Sequence, residues 1–576
     1  MQFPESWLRE FCNPPIGTQE LADLLTMSGF EVEALRRVAP PFHGVVVAEI
    51  LEAAPHPQAD RLRVCRVDIG SAEPLAIVCG APNARAGLRV PLATVGAELP
   101  PPADGKGAQA LRIAVGRLRG VESQGMLCSA RELGISEDGT GLLELPADAP
   151  LGRDLRAVLQ LDDTIFTLKL TPNLAHALSV YGVAREVAAL TGAPLRTPAI
   201  APVAPVHDAK LPVEVLASDL CGRFSGRVVR NVDTGAQTPQ WMVDRLARCG
   251  QRSVTALVDI SNYVMFEYGR PTHIFDLDKI HDKLVVRWAR AGESLELLNG
   301  STVELDETVG VIADTRAVES LAGIMGGEAS AVSDRTRHVY IEAAFWWPEA
   351  VQGRSRRYGF ATDAGHRFER GVDPALTVEH IERVTQLIGD ICGGEPGPMD
   401  DQVLRLPEAR PVTLRAARAA KVLGMPVTQA QCADVFRRLG LAFTEGTGTL
   451  TVTPPTWRFD LALEEDLIEE VARVVGYDKL PLAAPLAPVA ASARPEGRRH
   501  ANAIRRLLAG LGYHETINFG FVEERWEREL AGNAEPIRVL NPIAAPLAVM
   551  RSSLVGSLIE VLRRNLARRA GRVRVF

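Results

Sequence analysis

Residues 48–70 read AEILEAAPHPQADRLRVCRVDIG. They belong to two short β-rich runs within 45–69, VVVAEILEA and LRVCRVDI, set apart by turn residues. Further runs of the same kind follow at 75–79 (LAIVC), 88–95 (LRVPLATV) and 111–121 (LRIAVGRLRGV), each bounded by Gly or Pro. Five short strands with this punctuation predict a small closed β-barrel. Residues 18–36 and 174–191 show helical apolar periodicity on either side of it, so the barrel reads as an insertion that loops out between two helices able to meet.

The rest of the chain needs more than one core. Its 576 residues call for roughly four or five units at the usual ~100–200 residues per domain. Pro- and Ala-rich stretches at 194–205, 396–412 and 481–495 have the composition of extended connectors. Residues 211–390 mix strands expected at 284–289, 309–313 and 338–342 with helices expected at 238–249 and 374–391, an α+β pattern. A further unit spans about 405–480, and a helix over 498–511 opens the last one. The terminal GRVRVF, 571–576, reads as a strand just begun, which suggests a truncated chain.

No window approaches the ~18 unbroken apolar residues of a membrane span, and MQFPESWLREF has no basic segment leading into an apolar run, so a cytoplasmic protein without membrane attachment is expected. The eight cysteines stand far apart with no C-x-x-C; reduced, mostly buried thiols are expected rather than a zinc site or a disulfide framework. A net charge of −7 conceals basic segments at 494–506 and 561–574 and an acidic one at 464–470, so any nucleic-acid contact is local. The sequence holds no phosphate loop, no G-x-S-x-G elbow and no H-E-x-x-H, against nucleotide hydrolysis or zinc proteolysis of the familiar kinds.

Within the barrel block, Arg61 and Arg63 alternate along one strand and Arg117 and Arg119 lie near its end, with Ser129 beyond. Alternate strand positions share a face, so these arginines form either a phosphate-contacting groove or a solvated surface. The wording of 48–70, of IVCGAPNARAGLRVPLATVGAELP and of GVESQGMLCSARELGI resembles the tRNA-binding oligonucleotide-fold (OB-fold) domain of bacterial synthetases, over roughly 39–150. The whole chain, through TPNLAHALSVYGVARE at 171–186 to NPIAAPLAVMRSSLVGSL at 541–558, resembles the bacterial phenylalanine–tRNA ligase β-subunit family. Where that family reads TPNRADCLS, this chain has Leu174 and His176, which puts in doubt any polar contact made there in relatives.

The resemblance implies a multidomain α+β fold. Its parts are an N-terminal helical/β domain (1–38 plus 151–200) with the OB-fold barrel (39–150) inserted, an α+β editing domain (205–400), a small winged-helix-like α+β domain (405–480) and the incomplete start of a class II synthetase-like antiparallel α/β domain (490–576). It also implies a ligase subunit that pairs with an α subunit as α2β2, binds tRNA(Phe), leaves ATP and phenylalanine activation to the α subunit, and hydrolyses tyrosine misattached to tRNA(Phe). A pure tRNA-binding or assembly scaffold is the alternative. The family's editing pocket maps onto His273, Glu342, Arg252, Gly326, Thr362 and Ala364. Singly, His273 reads as a loop histidine and Glu342 as a cap or an arginine partner. Together they supply what an apolar pocket lacks, since such a pocket rejects an added hydroxyl by only ~100-fold, whereas a carboxylate accepts the phenolic proton.

Seven carboxylates crowd RFDLALEEDLIEEVARVVGYDKL, 458–480. From Glu464 a helix is expected, with Asp466, Glu469 and Glu470 on the face opposite Leu467, Ile468 and Val471. This is either a solvated acidic turn favoured by the helix dipole or, with Asp460 folding back, a seat for a hard cation. In the family these four positions hold magnesium near the α subunit. HRFER at 366–370 imitates a class II active-site motif by accident, and Arg551 reads as structural.

Overall fold

The helix that begins at Thr18 does not run to residue 36. It ends at Met27, Gly29 turns the chain at φ +93°, and Phe30 N–H bonds back to Leu25 O at 2.9 Å, a glycine stop of the kind that satisfies last-turn carbonyls. Glu31–Arg37 then becomes a strand against Thr164–Lys169, which also pairs with Gln2–Pro4. On the far side of the insertion, 172–177 form a 3-10 turn, and the expected second helix starts only at Val180, where the Ser179 hydroxyl caps Gly182 N–H. Trp7, Leu21, Leu25, Val183 and Val187 from these elements are fully buried in one core, each worth ~1.5–3 kcal/mol of burial.

The computed structural model describes residues 1–101, 110–484, 486–488, 497 and 499–576, in two units, Met1–Leu482 and Ala483–Phe576. Parts of the 481–495 linker, of the 494–506 basic segment and of the 490–576 block lie outside the described residues, as do 102–109 of the barrel block.

The inserted sheet runs Gly125–Leu127, Arg89–Leu99, His43–His56, Ala59–Asp68, Leu75–Cys79. Its two edges come together where Gln124 N–H reaches Ala76 O at 2.9 Å and Val78 N–H reaches Ser123 Oγ at 3.0 Å. The single strand expected over 111–121 is instead a two-residue strand, Leu111–Arg112, and a hairpin of Gly116–Leu118 with Val121–Ser123. Arg119 and Gly120 both take positive φ at its turn, the geometry of a tight hairpin loop.

Two sheets face each other between residues 210 and 405. One contains Val213–Val215, Leu284–Trp288, Gly310–Ala313, Val318–Leu321 and Met325–Gly326; the other, His273–Asp276, Val339–Trp346, Cys221–Arg230 and Glu395–Pro396, with Asp400–Val403 beside Cys221–Arg230. Alternation decides what each residue of the second sheet meets. Ile274, Val339, Ile341 and Ala343 pack with helices Ala256–Tyr268 and Thr377–Cys392, whereas Phe275, Tyr340 and Ala344 point into the core between the sheets. A third core joins the sheet of Val412–Arg415, Thr449–Thr453 and Ala442–Gly446 to helices Gln429–Arg438 and Glu464–Val475.

In Ala483–Phe576 the helix Ala501–Gly510 forms as expected. Strand structure is limited, among the described residues, to Phe521–Val522 against Val549–Met550 and isolated bridges. The strand expected at 571–576 makes one bridge, Val575 to His514. Ile517, Phe519, Leu540 and Ile543 are largely exposed. All eight cysteines are buried and free, and among the described residues no helix is long and apolar enough to cross a membrane.

Candidate functional site

His273 and Glu342 stand directly opposite each other in the antiparallel pair His273–Asp276 and Val339–Trp346, so their side chains leave the sheet on the same side. That side faces the gap between the two sheets. The third strand places Gly226 opposite Glu342, and the ring of Tyr340 lies over that glycine, its oxygen 1.8 Å from where a Cβ would stand. From the facing sheet, Gly326 approaches so closely that its own Cβ would meet His273 Cε1 at 2.3 Å. Thr362 caps the helix Asp363–Phe368 through Gly365 N–H and donates to Ile324 O at 2.9 Å, which brings it and Ala364 to the segment carrying Gly326. Five of the six expected pocket residues are thus assembled. Arg252 is exposed and without an ion-pair partner among the described residues; it reaches the neighbourhood through Gln251, which bonds Asp363 at 2.9 Å.

The chemistry of this cluster lies in what it lacks. Glu342 is 6% exposed, and burial pushes its carboxyl up to about 8, with the Arg270 charge as the opposing influence. Burial also pushes His273 down to about 4. His273 Nε2 and the Tyr340 hydroxyl have no hydrogen-bond partner, although buried polar atoms seldom go unpaired. At neutral pH the two facing groups are therefore a neutral imidazole and a mostly protonated carboxyl. Each can bond a hydroxyl that arrives there; neither gains anything from a bare ring. Arg270, Tyr340 and Phe275, whose ring stands edge-on 4.3 Å from His273, were not singled out from the sequence. The legible signal was alternation, since Phe275 and Tyr340 are two residues from His273 and Glu342.

On the inserted sheet, Arg61, Arg63, Arg117 and Arg119 are all exposed and have no ion-pair partner among the described residues. His56 Nε2 bonds Leu118 O at 3.1 Å, holding the Arg117–Arg119 hairpin beside the turn from which the Arg61–Arg63 strand starts. Ser129 does not join them. It is buried, and its hydroxyl and N–H both donate to Glu132 at 2.7 Å, which closes a turn.

The acidic stretch forms the expected helix, Glu464–Val475, but its carboxylates are already engaged. Arg458 grips Asp460 through both oxygens at 2.7 and 2.8 Å and donates to Glu470 at 2.8 Å. Arg473 joins Glu470 at 2.7 Å and, at 2.5 Å, Glu186, which in turn meets His176 at 2.7 Å. Asp466 accepts Ala462 and Leu463 N–H at the helix start, and Glu469 accepts from Asn173. Burial opposes ionisation of Glu470, yet Arg473 and Arg458 overcome it and hold the carboxyl down at about 2. The four residues do not fit a magnesium ion as placed. Two guanidinium groups sit inside the donor set, and among the described residues no three metal-ligating side chains converge. Here the expected convergence of Asp460, Asp466, Glu469 and Glu470 is corrected, because Arg458 and Arg473 lie among them.

A cavity of about 320 Å³ opens elsewhere, lined by Arg36, Leu145, Leu161, Asp244 and Arg248 and by none of the expected site residues.

Four family models match the chain: B3/4 domain over 220–393, "Putative tRNA binding domain" over 45–154, tRNA synthetase B5 domain over 412–477, and phenylalanyl tRNA synthetase beta chain CLM domain over 480–576. Phenylalanine–tRNA ligase beta subunits of Burkholderia pseudomallei (strain 1710b) and Ralstonia nicotianae are each 59% identical over 576 residues, covering 100% of this chain and 71% of theirs. An N-terminal fragment of the phenylalanyl-tRNA synthetase beta subunit from Pyrococcus horikoshii, 12% identical, covers 82% of this chain and 99% of its own at a TM-score of 0.33.

Proposed function

Because the chain belongs to the phenylalanine–tRNA ligase β-subunit family, we propose that it works in the cytoplasm as the β half of an α2β2 ligase and removes tyrosine misattached to tRNA(Phe). Attachment of phenylalanine with ATP belongs to the α subunit. The inserted sheet, read as an OB-fold, offers tRNA the unpaired Arg61, Arg63, Arg117 and Arg119; the units after residue 405 are read as winged-helix-like and class II synthetase-like, the last with its exposed apolar side chains toward the α subunit.

The observation that carries the editing reading is the couple His273–Glu342, opposite in register, with the imidazole Nε2 shielded and unpaired, the carboxyl buried, and the adjoining Gly326 kept bare. A phenolic hydroxyl entering this gap can donate to one group and accept from the other. Phenylalanine leaves both orphaned, and a site built to bond a hydroxyl rejects the analogue without it by about 10⁴–10⁵. Thr362 and the helix start behind it bound the side where the aminoacyl ester would lie. A water attacking the ester carbonyl releases tyrosine and the free 3′ end; the protonated carboxyl and neutral imidazole bind the phenol, which leaves abstraction of the water proton to the tRNA's terminal ribose. Replacing both groups, Glu342→Ala with His273→Ala, is expected to slow release of tyrosine from Tyr-tRNA(Phe) by on the order of 10²–10⁴-fold. Hydrolysis at the unmodified rate in that variant would remove this assignment.

A further inference from the structure

Arg270 is the largest charge near the pocket that none of the expectations used. It is fully buried, and no carboxylate oxygen lies within ion-pairing distance of it among the described residues. A guanidinium removed from water is costly unless every donor is placed. Its donors go to Ala344 O at 2.9 Å, to Asp373 O, and to His380 Nδ1 at 3.4 Å. His380 is itself buried and stacked on Tyr268, with ring centroids 5.2 Å apart, so it serves as a neutral acceptor fixed in orientation.

The Ala344 bond has a structural reason. The register that sets His273 opposite Glu342 would, continued, set Pro271 opposite Ala344. Proline has no N–H for a ladder bond. Arg270, the residue before it, sends a side-chain N–H to the Ala344 carbonyl instead. The guanidinium thus splices the two site-bearing strands just past the His273–Glu342 pair and stops two residues from Glu342 along the strand.

We infer that Arg270 is a positioning residue for the pocket: it fixes the register of His273 against Glu342, so that the two groups that bond a phenolic hydroxyl stay opposite each other, and it keeps a positive charge beside the strand that carries Glu342. This rests on the editing reading above. The groups facing Glu342 are His273 across the ladder, Tyr340 on its own strand, Cys221 on the third strand, Asp400 on the strand beyond Gly226 and Arg270 from the loop; of these, Arg270 alone is cationic at neutral pH. It and Glu342 influence each other's ionisation, each favouring the other's charged form. Asp373, Glu379 and Arg223 are the other charges near Arg270.

Two substitutions separate splice from charge. Arg270→Gln keeps amide donors for the carbonyls and loses the charge; Arg270→Lys keeps the charge and loses the fork. Each is made in the full chain, alone and with E342Q, and read twice: by the pH profile of kcat/KM for Tyr-tRNA(Phe) hydrolysis in the presence of an α subunit, and by the pH profile of thermal stability. The expected result is an apparent midpoint for Glu342 at least one pH unit higher in R270Q than in the parent chain, in both readouts, and unmoved in R270K. A lower rate with the midpoint unmoved in R270Q, or a midpoint moved by a unit in R270K, overturns the inference; the second comparison stands if R270Q does not fold. A parent chain that shows no hydrolysis defeats the editing reading, while the stability profiles, which need no substrate, still decide the role of Arg270.

Discussion

Two glutamates, both almost fully buried, behave as opposites. Glu342 has no carboxylate-binding partner, and burial lifts its carboxyl to about 8. Glu470, 1% exposed, lies between Arg458 and Arg473 and is held at about 2 despite burial. Desolvation acts on both in the same direction. What differs is whether the protein supplies the partner or leaves the place open. The satisfied network runs from His176 and Glu186 in the N-terminal region to Glu470 and Asp460 in the unit after residue 405, and its work is structural. The unsatisfied pair is poor for stability and good for recognition, as expected where a ligand completes the bonding.

Removing each carboxylate tests the contrast most strongly. Glu470→Ala leaves Arg458 and Arg473 facing each other without their shared counter-charge, and should cost about 3–5 kcal/mol in thermal or denaturant unfolding. Glu342→Ala at pH 8 should cost far less or stabilise. Equal losses would erase the distinction.

Proton linkage gives the next effect. The folded-state carboxyl of Glu342 lies above its unfolded value, so the folded chain holds the extra proton between about 4.5 and 8 and loses stability as pH rises through that range. His273, lowered to about 4, has the reverse slope below 6.5, where the two nearly cancel. Between pH 6.5 and 8 His273 no longer opposes Glu342, which contributes about 2 kcal/mol, set in part against the N-terminal amine, which burial lowers and whose slope is the reverse. E342Q should flatten that decline in melting profiles, and a decline of unchanged slope would show that Glu342 ionises normally.

The smallest expected effect concerns shape. Gly326→Ala places a methyl against the His273 ring and should reduce Tyr-tRNA(Phe) hydrolysis about tenfold, about 1.4 kcal/mol, whereas Gly389→Ala, in the helix Thr377–Cys392 with no neighbouring atom within 4 Å, should leave hydrolysis unchanged and raise stability by up to about 1 kcal/mol. Hydrolysis surviving intact in G326A would mean that the ring has room to move aside.

Much of this was written in local residue order. Strand alternation and turn residues marked the inserted sheet at 45–69, 75–79 and 88–95, and apolar periodicity placed the helix from Glu464 to within its observed bounds, because a strand or helix face depends on neighbours a few residues away. The helix expected to continue to residue 36 failed at Gly29, where tertiary pairing with Thr164–Lys169 took the segment as a strand. Which charges are paired could not be read that way. Glu470 shares Arg473 with Glu186, which lies 287 residues from that arginine along the chain, Arg458 captures an oxygen pair expected for a cation, and Arg270 becomes a strand splice only once Pro271 and Ala344 are opposite each other. Ionisation is set by distance and dielectric, which the sequence does not carry; the fold alone decided which carboxylate was answered and which was left open.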